Sequence, residues 1–191
     1  FDMRKKTCAE MRKSMNSVVI TGASSGMGRE FAMQLDRGLH SVDEFWLIAR
    51  RGNRLKEIAS GMQHTVKILP LDLTNEADMT VLTESLAEEK PVVRMLINCA
   101  GYGMMGDFTA VPIKEQTGEV DLNCRALLEV TYGCLPYMRA KSRIIQLASS
   151  AAFLPQPGFS VYAATKSFVL SFSKAFRAEL KERQIYVTAV C

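Results

Sequence analysis

Histidine is scarce in this chain, with only His40 and His64 among 191 residues, and the five cysteines (Cys8, Cys99, Cys124, Cys134 and Cys191) form no C-x-x-C pair. A protein-held zinc needs several such ligands at close spacing, so no metal centre is expected. An odd, unpatterned set of thiols fits a reducing compartment and points to a cytoplasmic protein. No run approaches the roughly 20 apolar residues of a membrane helix, and the basic N-terminal stretch does not lead into the apolar core of a secretory leader. A membrane is therefore not an expected partner. Net charge is only +4, and much of the basic excess falls in MRKKTCAEMRKSM near the N-terminus. That distribution gives no broad cationic face for a nucleic acid.

What remains is the composition of an ordinary globular domain, 48% apolar and 23% charged, in a chain long enough to bury one substantial core. Residues 1–14 read as an N-terminal extension and 15–191 as a single domain. Six apolar runs have strand length: SVVIT (17–21), EFWLIA (44–49), TVKILPL (65–71), VVRMLIN (92–98), SRIIQLAS (142–149) and IYVTAV (185–190). Between them lie helix-length segments at 26–39, in RGNRLKEIASGM, from an N-cap at Asn75 to about 88, at 112–134 and at 160–183. Strands dense in Val, Ile and Leu that alternate with helices predict an α/β fold, a Rossmann-like doubly wound parallel sheet.

The first strand feeds the first helix through TGASSGMG, which spans Thr21 to Gly28. A glycine-rich turn at a helix N-terminus offers free backbone N–H groups and a positive dipole end to a phosphate. Gly22, Ser24, Ser25, Gly26, Met27 and Gly28 are the candidate phosphate-binding residues. The G-x-x-x-G-x-G spacing differs from the G-x-G-x-x-G fingerprint, so the mechanism carries over rather than the pattern. The second strand ends LIARR: Ala49 stands where an acidic residue would bind a ribose 2′-hydroxyl, and Arg50 and Arg51 follow. A guanidinium suits a 2′-phosphate, which predicts NADP(H) in preference to NAD(H), with Arg50 the main contact and Arg51 a second one.

In VYAATK, Tyr162 and Lys166 are one helical turn apart. Taken alone, the pair also fits an amphipathic helix with an edge tyrosine and a snorkelling lysine. A phenol exchanges protons poorly near neutral pH unless a neighbouring positive charge stabilises its phenolate, and Lys166 is placed to supply that charge.

TGASSGMG, DLT (72–74), NCAG (98–101), Asn123, Ser149 and YAATK occur in that order. Together they resemble the short-chain dehydrogenase/reductase family in its compact one-domain form, over about residues 16–191. The resemblance implies a catalytic set of Asn123, Ser149, Tyr162 and Lys166, with Ser149 selected over Ser150 by the family's spacing to the tyrosine. It implies that Asp72 bonds the adenine amino group beside the Leu73 backbone, and that Asn98, Ala100 and Gly101 line the cofactor cleft. Cys99 replaces the second asparagine of the usual NNAG and is expected to point into the fold. Tyr162 would exchange the proton of a small-molecule carbonyl or alcohol while Ser149 bonds the same oxygen. Lys166 would also hold the nicotinamide ribose, and Asn123 would anchor a water leading to solvent.

The resemblance further implies a homodimer or homotetramer paired through 112–134 and 160–183. It also implies residues beyond Cys191: a Pro-Gly turn, a substrate-covering helical segment and a seventh strand. A catalytically silent NADP(H)-binding sensor or interaction module of the same fold is the competing reading. The intact Asn–Ser–Tyr–Lys set argues against it.

Overall fold

The six apolar runs form β1 (Asn16–Thr21), β2 (Glu44–Ile48), β3 (Thr65–Leu69), β4 (Val92–Asn98), β5 (Met138–Leu147) and β6 (Tyr186–Val190). This computed structural model describes residues 14–191, so all but the last residue of the expected N-terminal extension lies outside the described residues. Every ladder is parallel, and the order across the sheet is β3-β2-β1-β4-β5-β6.

The central strands β1, β2 and β4 are mostly apolar because helices cover both faces. Side chains alternate across a strand. Val18, Ile20, Phe45 and Leu47 enter one core with Ala32 and Leu55, from α1 (Gly26–Gly38) and α2 (Gly52–Ser60). Val19, Trp46, Ile48 and Leu96 enter the other, with Leu82 from α3 (Glu76–Glu89) and Val130 from a later helix. Phe45 and Trp46 are both fully buried. Burying such a side chain stabilises the fold by roughly 1.5–3 kcal/mol.

The helix expected over 112–134 is a single path with a change of pitch. It runs as α4 (Ile113–Val120), a π-helical segment (Asp121–Ala126) and α5 (Leu127–Cys134). Such wide turns are frequent at functional sites, and Asn123 sits inside this one. The helix after β5, α6 (Ser160–Glu179), stops short of residue 183; a turn follows, with Gln184 at φ 53°. Strand β5 begins before residue 142, because a register break between Val93 and Met95 accommodates the extra residues. Among the described residues no helix is long and apolar enough to cross a membrane.

From β1 the chain winds outward through β2 and β3, then returns beside β1 as β4 and winds the other way. In open parallel sheets this reversal leaves a crevice outside the strands' carboxyl ends, where ligands bind. Thr21 and Asn98 end the two strands that flank it.

Asn75 is the N-cap of α3, with its side chain accepting from Ala77 N at 2.9 Å and Asp78 N at 3.2 Å. Replacing Asn75 with Ala is expected to lower stability by about 1 kcal/mol, and replacing it with Gly by only a few tenths. Urea unfolding of the two variants checks this, and equal losses would contradict it.

Candidate active site

The cleft at the switch point has a volume of about 440 Å³. Its walls are the turn from Gly22 to Gly28, Arg50 and Arg51 after β2, Asp72 and Leu73 after β3, and Ala100 and Gly101 after β4. These segments are far apart in sequence, and the parallel sheet brings them to one edge. Gly22 has φ +65°, and a Cβ there would fall 2.7 Å from Ala100 N, so the turn packs directly on the backbone that follows β4. Ser25 caps α1 with extended backbone and no side-chain bond to the helix. The first-turn N–H groups of α1 therefore face the cleft without a capping side chain.

Arg51 donates to Ser24 Oγ at 3.0 and 3.2 Å and to Ser25 Oγ at 2.7 Å. Arg50 is exposed and approaches Asp72 at 3.9 Å. Of the two arginines, it is Arg51 that is tied to the glycine turn. Asp72 Oδ1 accepts from Thr74 N at 3.0 Å and from Thr74 Oγ1 at 2.7 Å. Burial pushes this carboxyl up, but the Thr74 bonds and the Arg50 charge outweigh it and hold Asp72 below its ordinary value. Asp72 thus stays ionised at the rim, with Oδ2 on the Arg50 side.

Asn98 lies beneath the floor rather than in the wall. Its Nδ2 donates to Thr131 Oγ1 at 3.1 Å and to Gln146 Oε1 at 3.0 Å, and the side chain is buried. Thr21 Oγ1 takes a bond from Ala100 N at 3.2 Å, joining this buried network to the loop above. Cys99 is half-buried against the core around Phe45 and also borders the cleft, and burial pushes its thiol up to about 12.

Tyr162 and Lys166 lie on α6, Asn123 in the π-helical segment, and Ser149 just after β5. Lys166 is only 6% exposed, and its Nζ donates to Leu147 O at 2.7 Å, fixing the ammonium to the end of β5. Nζ lies 5.6 Å from the centre of the Tyr162 ring. Burial pulls the Lys166 ammonium below its ordinary value, against the opposing pull of Cys124 and Cys99. Ser149 Oγ accepts from Ala151 N at 3.2 Å, which leaves its own proton available to donate. Ser150, the other candidate, is exposed.

Asn123 is 1% exposed. Its Oδ1 accepts from Tyr102 N at 3.1 Å, and its Nδ2 donates to Tyr102 O at 2.8 Å and to Thr165 Oγ1 at 3.0 Å. Thr165 Oγ1 in turn donates to Tyr162 O at 2.8 Å. Thr165 is a positioning residue that the sequence did not single out, although its place between Tyr162 and Lys166 was a usable signal. A Cβ added at Gly101 would fall 2.8 Å from Asn123 Oδ1 and 3.5 Å from Lys166 Nζ. Both polar atoms therefore border one small space at the end of β4.

The family model for short chain dehydrogenases matches residues 16–191. A serine 3-dehydrogenase from Rhizobium radiobacter is 30% identical over 91% of this chain and 70% of its own. A very-long-chain 3-oxoacyl-CoA reductase from Pyrenophora tritici-repentis is 32% identical over 90% of this chain and 52% of its own. Among solved structures, a short-chain dehydrogenase from Sphingobium yanoikuyae in complex with NADPH superposes with a TM-score of 0.80 and 32% identity, over 91% of this chain and 69% of that one. With the doubly wound sheet and the cleft at its switch point, these matches place the chain in the short-chain dehydrogenase/reductase family of NAD(P)-dependent oxidoreductases.

Proposed function

We propose that this protein interconverts a carbonyl and a secondary alcohol using NADP(H), with Tyr162 as general acid and base. The observation that carries the reading is buried Lys166 beside the Tyr162 ring and, with Asn123, against Gly101 in the wall of a cleft that also has two guanidinium groups and no carboxylate at the end of β2.

The residues present fit the cofactor. The uncapped start of α1 and the glycine turn suit a pyrophosphate, as in the general case of a helix N-terminus. Asp72 Oδ2 suits the adenine amino group, and Arg50 and Arg51 suit a 2′-phosphate. A relative solved with NADPH supports this choice. When bound, the nicotinamide supplies or accepts the hydride.

The chain's own residues do the rest. Tyr162 gives its phenolic proton to the carbonyl oxygen in reduction and takes it back in oxidation. Ser149 donates a hydrogen bond to that oxygen and so polarises the carbonyl. Lys166 keeps a positive charge beside the Tyr162 ring and has two further N–H donors for ribose hydroxyls. Asn123 Oδ1 and Lys166 Nζ face the same small space, which suits a water that passes protons toward solvent.

Exposed Val120, Leu128, Tyr132 and Phe168 lie on the helices expected to pair two copies of the chain, in keeping with a homodimer or homotetramer. The free thiols Cys99, Cys124, Cys134 and Cys191 fit a cytoplasmic location.

Two predictions follow from these roles. Tyr162→Phe should cut carbonyl reduction by about 10²–10⁴-fold while leaving the NADPH dissociation constant nearly unchanged. Parent-rate turnover by that variant would refute the acid–base role. Arg50→Ala and Arg51→Ala should each weaken NADPH by roughly 10–100-fold and NADH far less, the loss expected for a charge-assisted hydrogen bond. Equal losses for both cofactors in both variants, read by fluorescence titration, would refute the 2′-phosphate contact.

A further inference from the structure

Glu119 is a carboxyl side chain at 1% exposure with no ion-pair partner among the described residues. It lies on α4, one turn before Asn123. Its Oε1 accepts from Met104 N at 2.6 Å, whereas Oε2 is buried with no hydrogen-bond partner. A void of about 10 Å³ lies against it, room for about one water. The void is lined from three sides: by Met104 and Gly106 in the loop after β4, by Gln116 and Glu119 on α4, and by Ser160 at the start of α6. Burying a carboxyl in this way is costly, so its position calls for a physical account.

The loop it grips is the one against Tyr162. A Cβ at Gly103 would overlap the Tyr162 ring, with Cγ 2.7 Å away, and would fall 2.8 Å from Phe159 Cζ. Phe159 stacks on Tyr162 at 4.3 Å between ring centres. The Gly103 backbone thus closes on the edge of this aromatic pair. Its two neighbours are held from the helix: Tyr102 by Asn123 through both backbone polar groups, and Met104 by Glu119. Further along the loop, Gln116 Nε2 donates to Phe108 O and Val111 O, both at 2.8 Å, and Gly106 N donates to Gly158 O at 2.8 Å.

We propose that Glu119 is a positioning residue for the carbonyl-binding wall, its carboxyl holding the loop 102–111 against the Tyr162 ring. This rests on the reading of Tyr162 as the proton-exchanging group and adds to it the residue that fixes the wall opposite that group. Two titratable side chains face the carboxyl, Glu115 one turn back on α4 and Tyr102 at the start of the loop, while α6 and the loop before it contribute the uncharged Ser160, Val161 and Gly158. Burial pushes the Glu119 carboxyl up, and Glu115 adds to this against the Met104 bond. The proton is therefore held more tightly with the wall in place than in an open loop. As pH rises through its titration, ionisation loosens the loop, so substrate affinity falls toward alkaline pH.

The test uses the full chain with NADPH, ethyl 3-oxobutanoate as probe substrate, and amide hydrogen exchange over residues 102–108. Glu119→Ala should speed exchange of the Met104 amide by about tenfold or more, and should raise KM by a similar factor with kcat little changed, because a buried hydrogen bond to the loop is lost. Glu119→Met, which keeps the bulk but not the acceptor, should read the same loss if the Ala variant does not fold. Glu119→Gln keeps an acceptor for Met104 N, so it should hold exchange and KM near the parent values and flatten the rise of KM with pH. Unchanged Met104 exchange in both Ala and Met variants, or a KM–pH profile shared by parent and Gln variant, would overturn the proposal. A parent with no turnover of the probe would count against the proposed function, whereas the exchange measurement would still decide the role of Glu119.

Discussion

One buried carboxamide holds this site together. Asn123 spends both N–H donors and one oxygen lone pair on three partners, the two backbone groups of Tyr102 and the Thr165 hydroxyl. Those partners belong to the loop after β4 and to α6, and Asn123 itself sits in the π-helical segment between α4 and α5. A regular α-helical turn would aim position 123 elsewhere, since one extra residue per turn rotates every side chain after it. The wide turn and the carboxamide thus work as one device. It sets the distance between the strand edge where the cofactor cleft lies and the helix that carries Tyr162 and Lys166. Loss of any one of its bonds would leave a buried donor or acceptor unpaired, which costs about 1–3 kcal/mol.

The two ends of the cleft follow different physics. The end at the glycine turn is built from backbone: an uncapped helix start and a turn pressed so closely on Ala100 that only glycine fits at position 22. The other end is built around a buried cation. Lys166 is far from bulk water, anchored on Leu147 O and flanked by the Tyr162 ring. Its charge is screened little there. Burial draws its ammonium toward neutrality, while any anion formed beside it favours the charged state.

Much of this was legible in the residues because it is local. Five of the six strands have boundaries close to those read from apolar runs, and Asn75 caps α3 with the bonds its position implied. The glycine turn, the arginines after β2 and Asp72 all reach one cleft, since strand ends in a parallel sheet share an edge. What stayed hidden depends on partners distant in sequence. The side chain of Asn98 looked like a cleft residue, yet the Thr131 hydroxyl and Gln146 carbonyl draw it under the floor. Arg51 rather than Arg50 reaches the serines of the turn, a matter of side-chain direction that composition does not carry. The early start of β5 depends on a bulge opposite Val93 and Met95, and Glu119 gave no signal because a lone glutamate in a helix reads as solvated surface.

The central claim is that this arrangement moves a hydride to a carbonyl carbon while Tyr162 moves the proton. It is tested most directly by running the reduction with NADPH deuterated at the transferring C4 position and finding where the label goes by mass spectrometry. One deuterium on the carbinol carbon per turnover, with the hydroxyl hydrogen drawn from solvent, is the result predicted. An unlabelled carbinol carbon, from a cofactor that is bound and still labelled, would contradict it.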